Sequence, residues 1–136
     1  MKIDWSGDLE FEATTEGGFS VKIDGKDERS PCPTQLMLSA LGACSASDVV
    51  SILKSEGYAL QSLENNVTYT LTDSKPRLFD TANLHFVAKC HGLGESELLA
   101  AAEEAVAQHC HVCLMLRPAI EISCSAEVIW NPPVSA

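Results

Sequence analysis

The sequence predicts an α+β fold in a single domain spanning residues 1–136, built on a mainly antiparallel sheet. Three observations predict it. Short segments alternate apolar and polar residues with the period of a half-buried strand, and two longer segments space their apolar residues as a helix does. Their order along the chain is strand hairpin, helix, strand pair, helix, strand.

Residues 8–13 alternate with Leu9, Phe11 and Ala13 on one side, and residues 19–23 with Phe19, Val21 and Ile23. Glu16-Gly17-Gly18 lies between them and reads as a hairpin connection. Ile3 and Trp5 supply a short earlier strand. Two prolines, Pro31 and Pro33, flank Cys32 and suit a helix start, because the missing N–H of proline costs nothing in the first turn. From Gln35 to Glu56 the apolar spacing is helical, through Leu36, Ala40, Leu41, Cys44, Val49, Ile52 and Leu53, and Gly57 is a natural stop. The run Gly42-Ala43-Cys44-Ser45-Ala46-Ser47 in its middle admits close approach of another backbone.

Val67, Tyr69 and Leu71 alternate, as do Ala82, Leu84, Phe86, Ala88 and Cys90, with Asp73-Ser74-Lys75-Pro76 as the turn between. A second helical pattern runs from Glu95 to Gln108, with Leu99, Ala102 and Val106 on one face and Glu95 and Glu97 favouring the dipole in the first turn. His109-Cys110-His111-Val112-Cys113 sits at or just past its end. Ile120, Ile122, Cys124, Ala126, Val128 and Trp130 alternate as a last strand. The first helix is too apolar to lie alone on a sheet, and a second subunit is expected to cover it.

The formal charge is −10, from 9 basic and 19 acidic residues. Such a surface repels phosphate backbones and anionic lipid, so neither nucleic acid nor membrane is an expected partner. Apolar stretches are expected to fall short of a bilayer span, and Met1–Trp5 shows no signal-peptide pattern. The expected location is the cytoplasm. There, six cysteines are better read as free thiols than as a disulfide framework.

Local context alone reads Cys44 as an ordinary core cysteine. Asp48, one turn on, is a group that raises a thiol pKa unless it is hydrogen-bonded elsewhere. Cys110 and Cys113 form a Cys-x-x-Cys pair, but a thioredoxin-type pair opens a helix after a strand, and here a helical pattern precedes it. His109, Cys110, His111 and Cys113 are also of metal-ligand type. The two histidines would point different ways on a helix, and no second ligand pair follows at zinc spacing. No metal or cofactor is therefore expected. Cys90 and Cys124 read as inward strand positions, Cys32 is the least defined, and the sequence pattern shows no partner for His85 or His91, which read as surface or strand residues.

Ser30-Pro31 together with Leu36–Val50, including Gly42-Ala43-Cys44-Ser45-Ala46-Ser47-Asp48, resembles the first cysteine motif of the OsmC/Ohr family. Cys110–Leu116 resembles its second motif, commonly Cys-Pro-Val-Ser followed by an apolar run. Pro76-Arg77-Leu78-Phe79 and Asn83-Leu84-His85-Phe86 resemble the YhfA-like branch. The resemblance implies an OsmC-like fold: antiparallel sheets, a central cysteine-bearing helix and an intertwined homodimer. It also implies a thiol-dependent peroxidase of the oxidative stress response. Cys44 would attack a small organic or inorganic hydroperoxide, Cys110 would resolve the sulfenic acid as a disulfide, and a dithiol or lipoyl-type reductant would reset the pair. Family peroxidases carry a glutamate where this chain has Thr34-Gln35, and an arginine on the hairpin loop that here reads Thr14-Thr15-Glu16-Gly17-Gly18. Arg29 and Arg77 are the candidate substitutes. His111 replaces the proline of the second motif, where its charge could help Cys110 ionise, and Cys113 is an alternative resolver. The competing reading is a non-enzymatic dimer whose interface pocket holds a small molecule or thiol adduct.

Overall fold

A computed structural model describes residues 1–129. Trp130, assigned by alternation to the last strand, lies outside the described residues. Contacts gather into two units, Met1–Ser39 and the chain from Ala40 onward.

The first unit holds an antiparallel sheet of β1 (Lys2–Gly7), β2 (Glu10–Thr14) and β3 (Ser20–Asp24), ordered β1-β2-β3. The register sets Ile3 beside Ala13 and Ala13 beside Val21, and likewise Trp5 beside Phe11 and Phe11 beside Ile23. Alternation therefore gathers these six residues on one face, as the sequence pattern predicts. Much of that face is open: Ile3 is 54% exposed, Trp5 70% and Val21 45%. The loop after β3 is organised by buried Asp24, whose carboxylate accepts the backbone N–H of Lys26 (2.9 Å), Arg29 (3.0 Å) and Glu28 (3.4 Å). Those bonds, the Lys26 and Arg29 amides first, hold its carboxyl below the usual aspartate value.

Helix α1, Pro33–Ser55, begins with proline in the first turn, as expected. Its end is a Schellman cap: Gly57, at φ +90°, donates to Lys54 O (3.1 Å) and Tyr58 donates to Leu53 O (3.0 Å). The expectation that no segment reaches bilayer length fails for α1, whose 23 residues are long and apolar enough by length and composition. The sequence reading stopped at uninterrupted apolar runs, and small and polar residues such as Ser45 and Ser47 punctuate this one. Leu41, Ser45, Val49 and Leu53 are fully buried within the protein.

The second unit is built on β4 (Ser62–Leu71), β5 (Phe79–Lys89) and β6 (Glu121–Ile129), ordered β4-β5-β6. Ala82, Leu84, Phe86 and Ala88 on β5 are buried and share one core with Leu41, Val49 and Leu53 of α1. β4 pairs antiparallel with β5, but β6 pairs parallel with it, Leu84 opposite Cys124. Parallel pairing needs a long crossover, and the second helical region supplies it. That region is not one helix. α2 (Glu95–Glu104) gives way to a π-helical turn, Ala105–His109, and α3 (His111–Leu116) follows. The buried face of α2 carries Leu98, Ala101 and Ala102, with Leu99 only partly covered.

Candidate functional site

The small-residue run of α1 does admit a neighbour. A Cβ on Gly42 would stand 3.0 Å from the Val67 methyl of β4. At the same level Asn65 of β4 donates through Nδ2 to Gly42 O (3.0 Å) and Ser45 Oγ (3.3 Å), while Ser45 Oγ donates to Leu41 O (2.8 Å). Asn65 thereby holds α1 at the Gly42 carbonyl and at the Ser45 hydroxyl, on either side of Cys44. The sequence carried one sign of it, a polar residue between Leu63 and Val67 on the inward row of a strand, which alternation from Val67 onward did not reach.

Cys44 and Asp48 lie one turn apart on α1, both half-buried. Cys110 is fully buried and is the N-cap of α3, its sulfur accepting Cys113 N–H at 3.4 Å. The π turn delivers it there: Cys110 N–H bonds to Ala105 O at 2.7 Å, five residues back, after which the backbone turns extended (φ −70°, ψ 107°). The Cys-x-x-Cys pair thus opens a helix after all, although a π turn precedes it rather than a strand. The Cys44 and Cys110 sulfurs and an Asp48 carboxylate oxygen lie within 4.8 Å of one another. Among the described residues no lysine, arginine or histidine pairs with Asp48.

Burial, then hydrogen bonding with Cys44 and Cys113, pushes the Cys110 thiol well above its ordinary value, and the Cys113 N–H offsets only part of this. Burial raises Cys113 as well. His111 is exposed and is not among the groups acting on Cys110, so the expected assistance from its charge is not found. Arg77 donates to Thr72 O (3.1 Å) at the β4–β5 turn, and Arg29 faces Glu10 (3.9 Å) in the first unit. Neither acts on Cys110 or Cys113.

The other cysteines are free thiols with local roles. Cys90 is buried and approaches Ala59 O (3.5 Å), while Cys32 contacts Thr34 Oγ1 (3.5 Å). Cys124 is pushed up to about 11 by burial and by Glu103. His85 does have partners, contrary to the sequence reading. On the outer face of the sheet its Nδ1 meets Ser125 Oγ at 2.6 Å and its Nε2 faces Glu127 at 3.5 Å. Parallel pairing of β5 with β6 puts Ser125 opposite it, a register invisible in the one-dimensional pattern. His109 faces Glu104 at 3.5 Å.

The OsmC family, described as OsmC-like protein, matches residues 25–125, which include both cysteine segments. The chain belongs to the OsmC-like family. Protein YhfA of Escherichia coli (strain K12) is 33% identical over 129 residues, 94% of this chain and 96% of that protein. A hypothetical protein from Aquifex aeolicus VF5 shares the fold with a TM-score of 0.84 at 23% identity, covering 96% of each chain. An organic hydroperoxide resistance protein OsmC from Legionella pneumophila shares it with a TM-score of 0.67 at 19% identity, over 93% of this chain and 94% of that one. The OsmC-like fold expected from the two cysteine motifs is therefore the fold of this chain.

Proposed function

We propose that this chain is a cytoplasmic thiol-dependent peroxidase that reduces organic or inorganic hydroperoxides. The observation that carries the reading is the approach of the Cys44 and Cys110 sulfurs within 4.8 Å, with Cys44 half-buried and Cys110 fully enclosed. The accessible sulfur suits attack on an outside oxidant, and the enclosed one suits a partner that meets only Cys44. In the cycle the Cys44 thiolate takes the terminal oxygen of ROOH, giving a sulfenic acid and, with one proton, ROH. The Cys110 thiol then displaces water and forms the disulfide. A dithiol, of lipoyl type, returns both thiols and leaves as its own disulfide. Cys113, hydrogen-bonded to Cys110, is the reserve resolver.

The reading includes a homodimer. The face formed by Ile3, Trp5, Phe11, Ala13, Val21 and Ile23 is apolar and largely open, and α1 leaves Met37 and Val50 more than 40% exposed. A second copy would cover such surfaces.

The test is to titrate reduced protein with cumene hydroperoxide and map the products by mass spectrometry. One equivalent consumed, with a Cys44–Cys110 bridge, is the expected result; neither a Cys44 sulfenate nor that bridge would sink the reading. Light scattering measures the mass, and a monomer refutes the dimer. A second reading, a non-catalytic dimer that binds a small molecule or thiol adduct, draws on the raised Cys110 thiol and on Arg29 and Arg77 being engaged elsewhere. It predicts that Cys44→Ser leaves ligand binding intact.

A further inference from the structure

We propose that Cys44, Asp48 and Cys110 form a binding site for one Zn2+-type divalent ion, with two thiolates and one carboxylate on a common centre and a water completing the tetrahedron. Their donor atoms lie within 4.8 Å of one another. In a tetrahedral zinc centre, with bonds of about 2.0–2.3 Å, neighbouring donors stand about 3.5–3.8 Å apart. The three side chains therefore need to close by only about 1 Å.

The elements that hold the donors are set for this. Cys44 and Asp48 sit at i and i+4 on one face of a 23-residue helix, which Asn65 holds at the Gly42 carbonyl and the Ser45 hydroxyl. Cys110 is fixed by the bond that closes the π turn, and its sulfur already accepts the Cys113 N–H. A backbone N–H donated to a ligating sulfur is the outer support that thiolate ligands use.

The chemistry of the donors selects the ion. Two sulfurs favour a soft or borderline cation over Mg2+ or Ca2+. The Asp48 carboxylate has no cationic partner among the described residues, and its neighbours in the cluster are thiols. Binding balances as Zn2+ plus two thiols and one carboxylate, giving the bis-thiolate complex and two protons. While the ion is bound, both sulfurs are committed to it. The site would thus act as a reversible mask over the same two thiols. It stands on the geometry alone, so failure of the peroxide chemistry would not remove it.

The experiment takes reduced, metal-free, full-length protein under anaerobic conditions and titrates Co2+, then Zn2+. Expected are thiolate-to-cobalt charge-transfer absorption and intense tetrahedral visible bands saturating at one equivalent per chain. Zn2+ should bleach them and release two protons per ion in weak buffer. Asp48→Asn, which keeps both thiols, should weaken Zn2+ binding at least tenfold while its circular dichroism stays that of the parent. Cys44→Ser, which leaves one thiolate, should at least halve the charge-transfer band, and Cys32→Ser should leave it unchanged. Absence of the band in the parent protein would overturn the proposal, as would a band and affinity that persist in Asp48→Asn. Should Cys44→Ser fail to fold, the Asp48→Asn result decides alone.

Discussion

Cys44 and Cys110 reach the same few ångströms by opposite routes. Cys44 rides on a long helix that is placed by packing from far along the chain, through Gly42 against Val67 and through the Asn65 amide. Cys110 is placed by its own neighbourhood, a π turn that closes on Ala105 and a helix that starts at His111. One sulfur is half-open, the other sealed. The difference teaches that a close thiol pair can combine a member held by tertiary packing with one placed by its local fold. The two should then fail in different ways.

The largest effect is expected at Cys44. Cys44→Ser should lower peroxide consumption by roughly three orders of magnitude or more, since removing the nucleophile of a covalent mechanism removes the route itself. Steady-state consumption with a dithiol reductant measures it, and a variant within tenfold of the parent breaks the assignment. Cys110→Ser should spare the first turnover and trap a sulfenic acid on Cys44, visible as a dimedone adduct. If no adduct forms and a bridge to Cys113 appears instead, the roles of the second pair are exchanged.

The next tests separate tertiary from local placement. Gly42→Ala drives a methyl against Val67, and overpacking of about 1–3 kcal/mol, set against a helix-propensity gain of about 1 kcal/mol, should leave a net loss of stability, seen as a lower midpoint in urea. Alkylation of Cys44 should slow as α1 is pushed from β4. Asn65→Ala removes two hydrogen bonds and should cost about 1 kcal/mol. Both changes should leave Cys110 labelling as it was. If Cys110 labelling rises as much, the two placements are not independent.

The smallest effect concerns a cysteine outside the pair. Cys124, pushed up to about 11 by burial and by Glu103 from an ordinary thiol value of 9.0, holds its proton more tightly in the folded state. Its contribution to stability is complete below about pH 9 and is lost as pH rises from 9 through 11. Alkaline unfolding should show a decline in that window which Cys124→Ala flattens. An unchanged profile would refute it.

Much of this arrangement was legible in the sequence. Alternation found the strands, with β5 showing it most cleanly because one face is sealed and the other is not. The small-residue run marked where β4 approaches α1, and Gly57 marked the cap. The second helix was read as continuous to Gln108, because a π turn leaves the composition of a helix unchanged while shifting its last hydrogen bonds by one residue. The partners of His85 were hidden for another reason: they depend on which strand lies beside β5 and in which direction. Asp48 was visible as a neighbour of Cys44, but the meeting of both with Cys110 depends on long-range folding that no spacing encodes.

The apolar character of α1 has a consequence in time as well as in space. The helix is complete at Ser55, yet the strand that seals Leu41, Val49 and Leu53 ends at Lys89, and its last neighbour at Ile129. At synthesis rates of about 5–20 residues per second, the intervening chain takes roughly 4–15 s to emerge. For that interval a bilayer-grade segment stands outside the ribosome without its cover. The nascent chain would then offer chaperones and insertion machinery the row Leu41, Val49 and Leu53, which the folded chain covers.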